Sequence, residues 1–245
     1  MGLTLTETHH VSYYECDYHQ QMTLPMLISV AVKTSITQIN KLNIHHPNIL
    51  KELNLGWVIT NYDIHIQRLP KQDEMIFVTT HADDYNKFFC YRDFYIHDQE
   101  GNELVKINSI FVLMNLTTRK IVSVPKEVIS VYQSQKTTKV RRFPEIPQLL
   151  GTHQKEYHVR YFDLDGNGHV NNANYFTWFL DSLPFEWLST KIPNHIVVKF
   201  NKEVEYGETI TSQYETNDNT TIHQIINNNQ ITAEAYIEWM DKSCQ

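Results

Sequence analysis

Apolar and polar residues follow two periods along this chain, and the order of those periods occurs twice. His9 to Tyr14 reads as an opening strand. From Leu24 to Leu42 the period is helical: Leu24, Leu27, Ile28, Ala31, Ser35, Ile39 and Leu42 share one face. Pro25 stands at its start, where a missing backbone N–H breaks no hydrogen bond. Asn43 to Asn48, with Pro47, predicts a loop. The period then becomes two. Between Leu55 and Gln67, Val58, Tyr62, Ile64 and Ile66 alternate with Asn61, Asp63, His65 and Gln67, as in a strand with one wet face. Met75 to Ala82, Lys87 to His97 and Leu104 to Leu116 are further strands. Turns at Leu69–Asp73 and Asp98–Asn102 separate them.

Residues 131–150 are rich in Gln, Thr, Lys, Arg and Pro. Pro144 and Pro147 stop both helix and ladder, which predicts a linker. The same order then restarts: a strand at Tyr157–Phe162, a loop at Asp163–Val170, and a helical face of Phe176, Phe179, Leu180 and Leu183. Pro184 breaks or kinks that helix. Strands follow at Ile196–Phe200, Glu203–Glu205, Thr209–Glu215, Thr221–Asn227 and Ile231–Met240, with a hairpin tip at Asn228-Asn229. Two pairs of segments align: His65–Met75 with Lys199–Thr209, and Ser12–Asp17 with Arg160–Asp165. The expectation is an α+β chain of two like domains, residues 1–130 and 151–245, joined by 131–150. In each, a long apolar helix buries itself in a curved antiparallel sheet. Two such sheets, joined edge to edge, protect each other's edges.

Composition narrows the function. The chain has 245 residues, 41% hydrophobic and 20% charged, as in a globular protein with a real core. A net charge of -7 argues against a nucleic-acid binder. Against that background Lys136, Lys139, Arg141 and Arg142, with Arg119 and Lys120 upstream, form a local basic patch. It is either a solvated linker or a landing point for an acidic partner. Three cysteines, Cys16, Cys90 and Cys244, give neither a disulfide framework nor metal-ligand spacing, and a reducing compartment is expected. No signal peptide and no membrane span is visible.

The chemistry concentrates in Asp163 to Tyr175, where several polar side chains crowd between a strand and a helix. Asn171 or Asn172 can cap that helix, whose positive end would stabilise a developing oxyanion. Asp163, Asp165, Asn167 and Gly168 also match the first half of a calcium loop. The twelfth position is Asn174 rather than Glu, and a strand stands where a helix is needed, so no metal is expected.

The Asp165-x-Asn167-x-His169-Val170-Asn171-Asn172 motif, followed by Tyr175, resembles the signature of the acyl-acyl carrier protein thioesterases, the plant plastid enzymes and their bacterial relatives. In order along the chain, Gly56–Thr60, Ile66–Lys71, Met114-Asn115 with Thr117–Lys120, and Phe200–Val204 are similar to other stretches of that family. The resemblance runs from about residue 10 to 240. It implies a double hot-dog fold and hydrolysis of fatty acyl-acyl carrier protein. It implies Asp165, Asn167, His169 and Glu203 as catalytic positions, an acyl-chain tunnel in the first domain, and no cofactor. Met26, Leu27, Val30 and Ala31 are candidates to line that tunnel. Glu203 or His169 is the general base; reach and pKa decide between them. The family often carries a cysteine after the glutamate; here it is Val204, which cannot form an acyl-enzyme. The equivalent first-domain loop, Asp17-Tyr18-His19-Gln20-Gln21-Met22, keeps only the Asp, so the second domain is expected to carry the chemistry. The missing transit peptide fits a bacterial cytoplasmic enzyme. One chain already holds the pairing that single-domain versions obtain by dimerising, so a monomer suffices and a homodimer is possible. The alternatives are an acyl-CoA thioesterase of the same fold, a dehydratase with a different active loop, and a non-catalytic acyl or carrier-protein binding module.

Overall fold

A computed structural model describes residues 2–42, 49–151 and 153–242. The predicted loop at Asn43–Asn48, and Cys244, lie outside them. The first half runs β1 (Thr4–His10), α1 (Leu24–Leu42), α2 (Ile49–Glu52), β2 (Leu55–Ile66), β3 (Met75–Tyr85), β4 (Phe89–His97), β5 (Glu103–Asn115), β6 (Ile121–Val122), α3 (Lys126–Ile129) and β7 (Gln135–Lys136). The second runs β8 (His153–His158), α4 (Asn172–Asp181), α5 (Phe185–Thr190), β9 (Lys191–Phe200), β10 (Thr209–Asn217), β11 (Thr220–Asn227) and β12 (Gln230–Asp241). The strands form one 12-stranded sheet of order β1-β3-β4-β5-β2-β9-β12-β11-β10-β8, with β6 on β5 and β7 on β3. This is the double hot-dog, α+β fold.

The two halves meet where β2 pairs with β9, from Asn61↔Lys199 to His65↔His195. That pairing leaves neither central strand with an open edge. α1 and α4 pack on each other and on the sheet. α1 buries Leu24, Leu27, Ile28 and Ala31 on the face the spacing predicts, and carries Thr34, Ser35 and Gln38 down with them. α4 buries Tyr175, Phe176 and Phe179. One apolar cluster includes side chains of both helices and both halves of the sheet. No helix among the described residues is long and apolar enough to cross a membrane.

Some boundaries differ from the periodic reading, each for a physical reason. The opening strands end at His10 and His158, before Tyr14 and Phe162. In both places a carboxylate turns the chain into a single 3-10 turn. Glu15 Oε2 accepts from Ser12 N at 2.7 Å, and Asp163 Oδ2 from Arg160 N at 2.8 Å. Pro184 does break the second helix, and α5 begins directly after it. Glu203–Glu205 is not a strand. Val204 is fully buried, but its neighbours find only one bridge, His169↔Glu205. Gly207, at φ 80, then turns the chain toward β10. The Asn228-Asn229 tip is as expected, with both residues at positive φ between Asn227 and Gln230.

Candidate functional site

An aspartate ring shapes the loop before α4. The Asp165 N–H donates to His169 O at 2.7 Å, closing the loop. Its Oδ1 accepts from Asn167 N at 2.8 Å and His169 N at 3.4 Å, while its Oδ2 accepts from Asn167 Nδ2 at 3.2 Å. Gly168 takes φ 82 to complete the turn. Asp165 therefore fixes both the backbone and the Asn167 amide, and leaves Asn167 Oδ1 to accept from a ligand.

Bridge pairing then brings in the segment after β9. His169 pairs with Glu205, and the Val170 N–H donates to Val204 O at 3.1 Å. Glu203 thus comes to lie beside His169, with His169 Nε2 3.6 Å from Glu203 Oε2. The histidine side chain is 21% exposed and the glutamate 32%, so both are reachable yet partly shielded. All four sequence-predicted residues converge on this loop and its neighbouring segment.

A fifth residue arrives from the other half. Arg119 sits at φ 54 in the turn after β5, where Asn115 Oδ1 accepts from the N–H groups of Thr117 and Thr118. Its Nη2 donates to Glu203 Oε2. The sequence places Arg119 in a basic patch that is either solvated or a landing point for an acidic partner. The Asn-x-Thr-Thr-Arg turn was visible, but nothing in the chain order says that it faces Glu203. The first domain thus contributes a charged group to a site carried by the second.

The helix start is largely occupied. Asn171 caps α4, accepting from Ala173 N at 3.0 Å, and Asn174 N donates to Asn171 O at 2.8 Å. The Asn171 side chain reaches Ala173 N and not the Asn172 N–H at the first position of α4. Tyr175, buried against Phe200, has its phenol pKa pushed up by burial and then by Glu203 and Glu208. The calcium-loop alternative fails on Asp163. Its carboxylate accepts from Arg160 N, Nε and Nη2, and it turns away from the loop.

The two described cysteines, Cys16 and Cys90, stand apart from this loop. Burial pushes the Cys90 thiol up to about 12. Burial, then Asp17, Glu15 and Asp73, raise Cys16. Neither favours the thiolate that a nucleophile requires. Val204, at the family's cysteine position, is core.

A small cavity of about 30 Å³, partly open to solvent, lies in the first half. Ile39, Trp57, Cys90, Phe111 and Ile129 give it an apolar wall, and Arg92 lines it too. Met26, Leu27, Val30 and Ala31 do not line it: Leu27 and Ala31 are closed core, and Met26 is 37% exposed. Phe111 is four residues before Asn115, so β5 runs about 13 Å from the pocket to the turn bearing Arg119.

Comparison with known proteins covers both halves of the chain. Residues 2–132 match the acyl-ACP thioesterase N-terminal domain, and residues 149–241 match the acyl-ACP thioesterase C-terminal domain. The chain belongs to the acyl-ACP thioesterase family. A Lactobacillus plantarum structure, provisionally assigned as an oleoyl thioesterase, superposes on this family member with a TM-score of 0.92 at 36% identity, over 98% of this chain and 97% of that one. The 12:0-ACP thioesterase of Umbellularia californica shares the fold, with a TM-score of 0.86 at 18% identity over 99% of each chain. A chloroplastic acyl-[acyl-carrier-protein] hydrolase of Cuphea viscosissima is 25% identical over 86% of this chain and 54% of its own. The chloroplastic oleoyl-acyl carrier protein thioesterase of Coriandrum sativum is 28% identical over 76% of this chain and 54% of its own. This chain therefore spans about half the length of those curated relatives.

Proposed function

We propose that this thioesterase-family chain hydrolyses fatty acyl thioesters of acyl carrier protein, releasing free acid and the carrier thiol, with Asp165, Asn167, His169 and Glu203 as its catalytic residues. The carrying observation is the convergence of His169, Glu203 and the Asp165-held Asn167 in one partly shielded place.

A water bound there donates one proton to Glu203 Oε1, the oxygen free of Arg119, and its second hydrogen points to Asn167 Oδ1. Its oxygen attacks the thioester carbon. The oxyanion forms toward the Asn172 N–H and the positive end of α4. The C–S bond then breaks, and His169 gives a proton to the departing sulfur. Proton passage between Glu203 and His169 resets the pair. In this reading Glu203 is the base, and Arg119 holds it in place. Water attack fits a site with Val204 where a thiol would be needed.

The first half holds the acyl chain, and the small cavity walled by Trp57 and Phe111 widens to take it, leading back along β5 to the site. The carrier protein meets the basic side chains that remain exposed, Lys120, Lys136, Lys139 and Arg142. Arg141 is not among them. Its guanidinium is held by Asp83 at 2.5 Å and Asp93 at 2.6 Å.

The test is free-acid release from acyl-acyl carrier protein and from matched acyl-CoA, by wild type and Asn167→Ala in parallel. The proposal expects preference for the carrier substrate and a large loss in the variant. A folded wild type that turns over neither substrate overturns hydrolysis and leaves a binding module. Preference for CoA replaces the carrier by a nucleotide thioester.

A further inference from the structure

Away from the loop, the outer face of the sheet brings two histidines and an aspartate together across the seam between the halves. Strand alternation places them. On β2, Tyr62, Ile64 and Ile66 turn into the core, at 1, 0 and 3% exposure, so Asp63 and His65 face out. His195 on β9 lies directly opposite His65. The two imidazole rings stack, with centroids 4.5 Å apart and planes 8° from parallel. Both present Nε2 to the same carboxylate oxygen: Asp63 Oδ1 is 2.8 Å from His195 Nε2 and 3.4 Å from His65 Nε2. The three donor atoms lie within 4.8 Å of one another, and no other group of three such side chains among the described residues converges this closely.

We propose that Asp63, His65 and His195 bind one divalent late first-row metal ion, of the zinc type, and so clip β2 to β9. Two imidazole nitrogens and a carboxylate oxygen suit zinc, and the nitrogens disfavour magnesium and calcium. Zinc bonds of about 2.0–2.2 Å place tetrahedral ligand atoms about 3.3–3.5 Å apart. The Asp63–His65 spacing already meets that, and the Asp63–His195 pair needs to open by about half an ångström. His65 is 48% exposed on its side chain, which gives the ion a path in and leaves a fourth position for water. The support behind the ligands is also present. Glu238 on β12, opposite His195, puts Oε2 3.8 Å from His195 Nδ1, and Tyr236 Oη donates to Glu238 Oε1 at 3.3 Å. A carboxylate behind a ligating imidazole fixes its tautomer and orientation.

The ion would stabilise the seam rather than take part in hydrolysis, since none of Asp165, Asn167, His169 and Glu203 belongs to the cluster. The experiment titrates the metal-free full chain with Zn²⁺ by calorimetry and follows thermal unfolding, with Mg²⁺ as a second probe. The expectation is one Zn²⁺ per chain with a dissociation constant on the order of micromolar. A hundredfold excess over that constant raises Tm by about 5–10 °C. Both effects should vanish in His195→Ala and weaken at least tenfold in His65→Ala, whose exposed ring can be removed without disturbing the core. The chain has 13 histidines, so Zn²⁺ binding that survives both substitutions overturns the assignment. So does the absence of binding in wild type, or equal binding of Mg²⁺.

Discussion

The molecule builds the same loop twice and sets a histidine beside a carboxylate in the second copy. Before α1, the Asp17 N–H donates to Gln21 O at 2.8 Å, and Asp17 Oδ1 accepts from His19 N at 2.8 Å and Gln21 N at 3.1 Å. Asp165 makes the same three bonds before α4. Gln20 takes the left-handed conformation at φ 59 where Gly168 takes it at φ 82. Both loops then bridge to a later segment, Gln21 to Lys71 and His169 to Glu205. What differs is the side chains on this common frame. His19 stands for Asn167, Gln21 for His169 and, two residues before each bridge partner, Leu69 for Glu203. Leu69 is buried at 6% exposure, so the first copy has core where the second has a carboxylate. The aspartate therefore keeps the loop's shape in both halves, and the second surrounds that shape with Asn167, His169 and Glu203.

The strongest way to break this comparison is to make the second loop like the first. His169→Gln, which installs the residue found at Gln21, should lower the rate of free-acid release by about a hundredfold to ten-thousandfold. Tm should stay within a few degrees. The reciprocal Gln21→His should change neither.

Removing the group that crosses between halves comes next. Arg119→Ala frees Glu203 without altering the loop, and kcat should fall on the order of tenfold to a hundredfold, with KM less affected. An unchanged kcat would make Arg119 a surface ion pair only.

A third difference lies beneath the helices. With Met75 matching Thr209, the registers Thr80↔Phe94 and Tyr214↔His223 put buried Phe94 and buried His223 in corresponding places. Two residues before Phe94, Arg92 donates to Gln38 and Thr80 at 2.7 Å each, and burial lowers its pKa. His223 lies under Phe179 and bonds Thr221 at 2.8 Å. Burial lowers its pKa to about 3. The unfolded chain then takes up the proton first. Stability from this residue is full above pH 6.5 and is lost as pH falls toward 3. Urea unfolding should show stability falling below pH 6.5 by up to about 1.4 kcal/mol per pH unit, and His223→Leu should flatten that slope. A smaller effect still is expected of His19→Ala, which should alter turnover less than about twofold; a larger loss would give the first loop a role in the reaction.

Legibility in the chain followed periodicity. The faces of α1 and α4, the wet face of β2 and the Asn228-Asn229 tip were readable because burial writes a period into the residues. The two 3-10 turns were not, because Glu15 and Asp163 act through single carboxylate bonds that leave no period. Glu203–Glu205 carries a strand's alternation without a ladder partner, so pattern alone misled. Of the candidate site, the loop side chains were visible as a cluster. Arg119 was not, since a contact between residues so far apart in sequence exists only once β5 and β9 share a sheet.

The account's central claim is that Glu203 beside His169 separates a working loop from its silent twin. The most direct measurement is turnover of acyl-acyl carrier protein by Glu203→Leu, which puts the residue found at Leu69 at a position 32% exposed on its side chain. The account predicts a loss of at least about a hundredfold with Tm held within a few degrees. Free-acid release at the wild-type rate from that variant would contradict it.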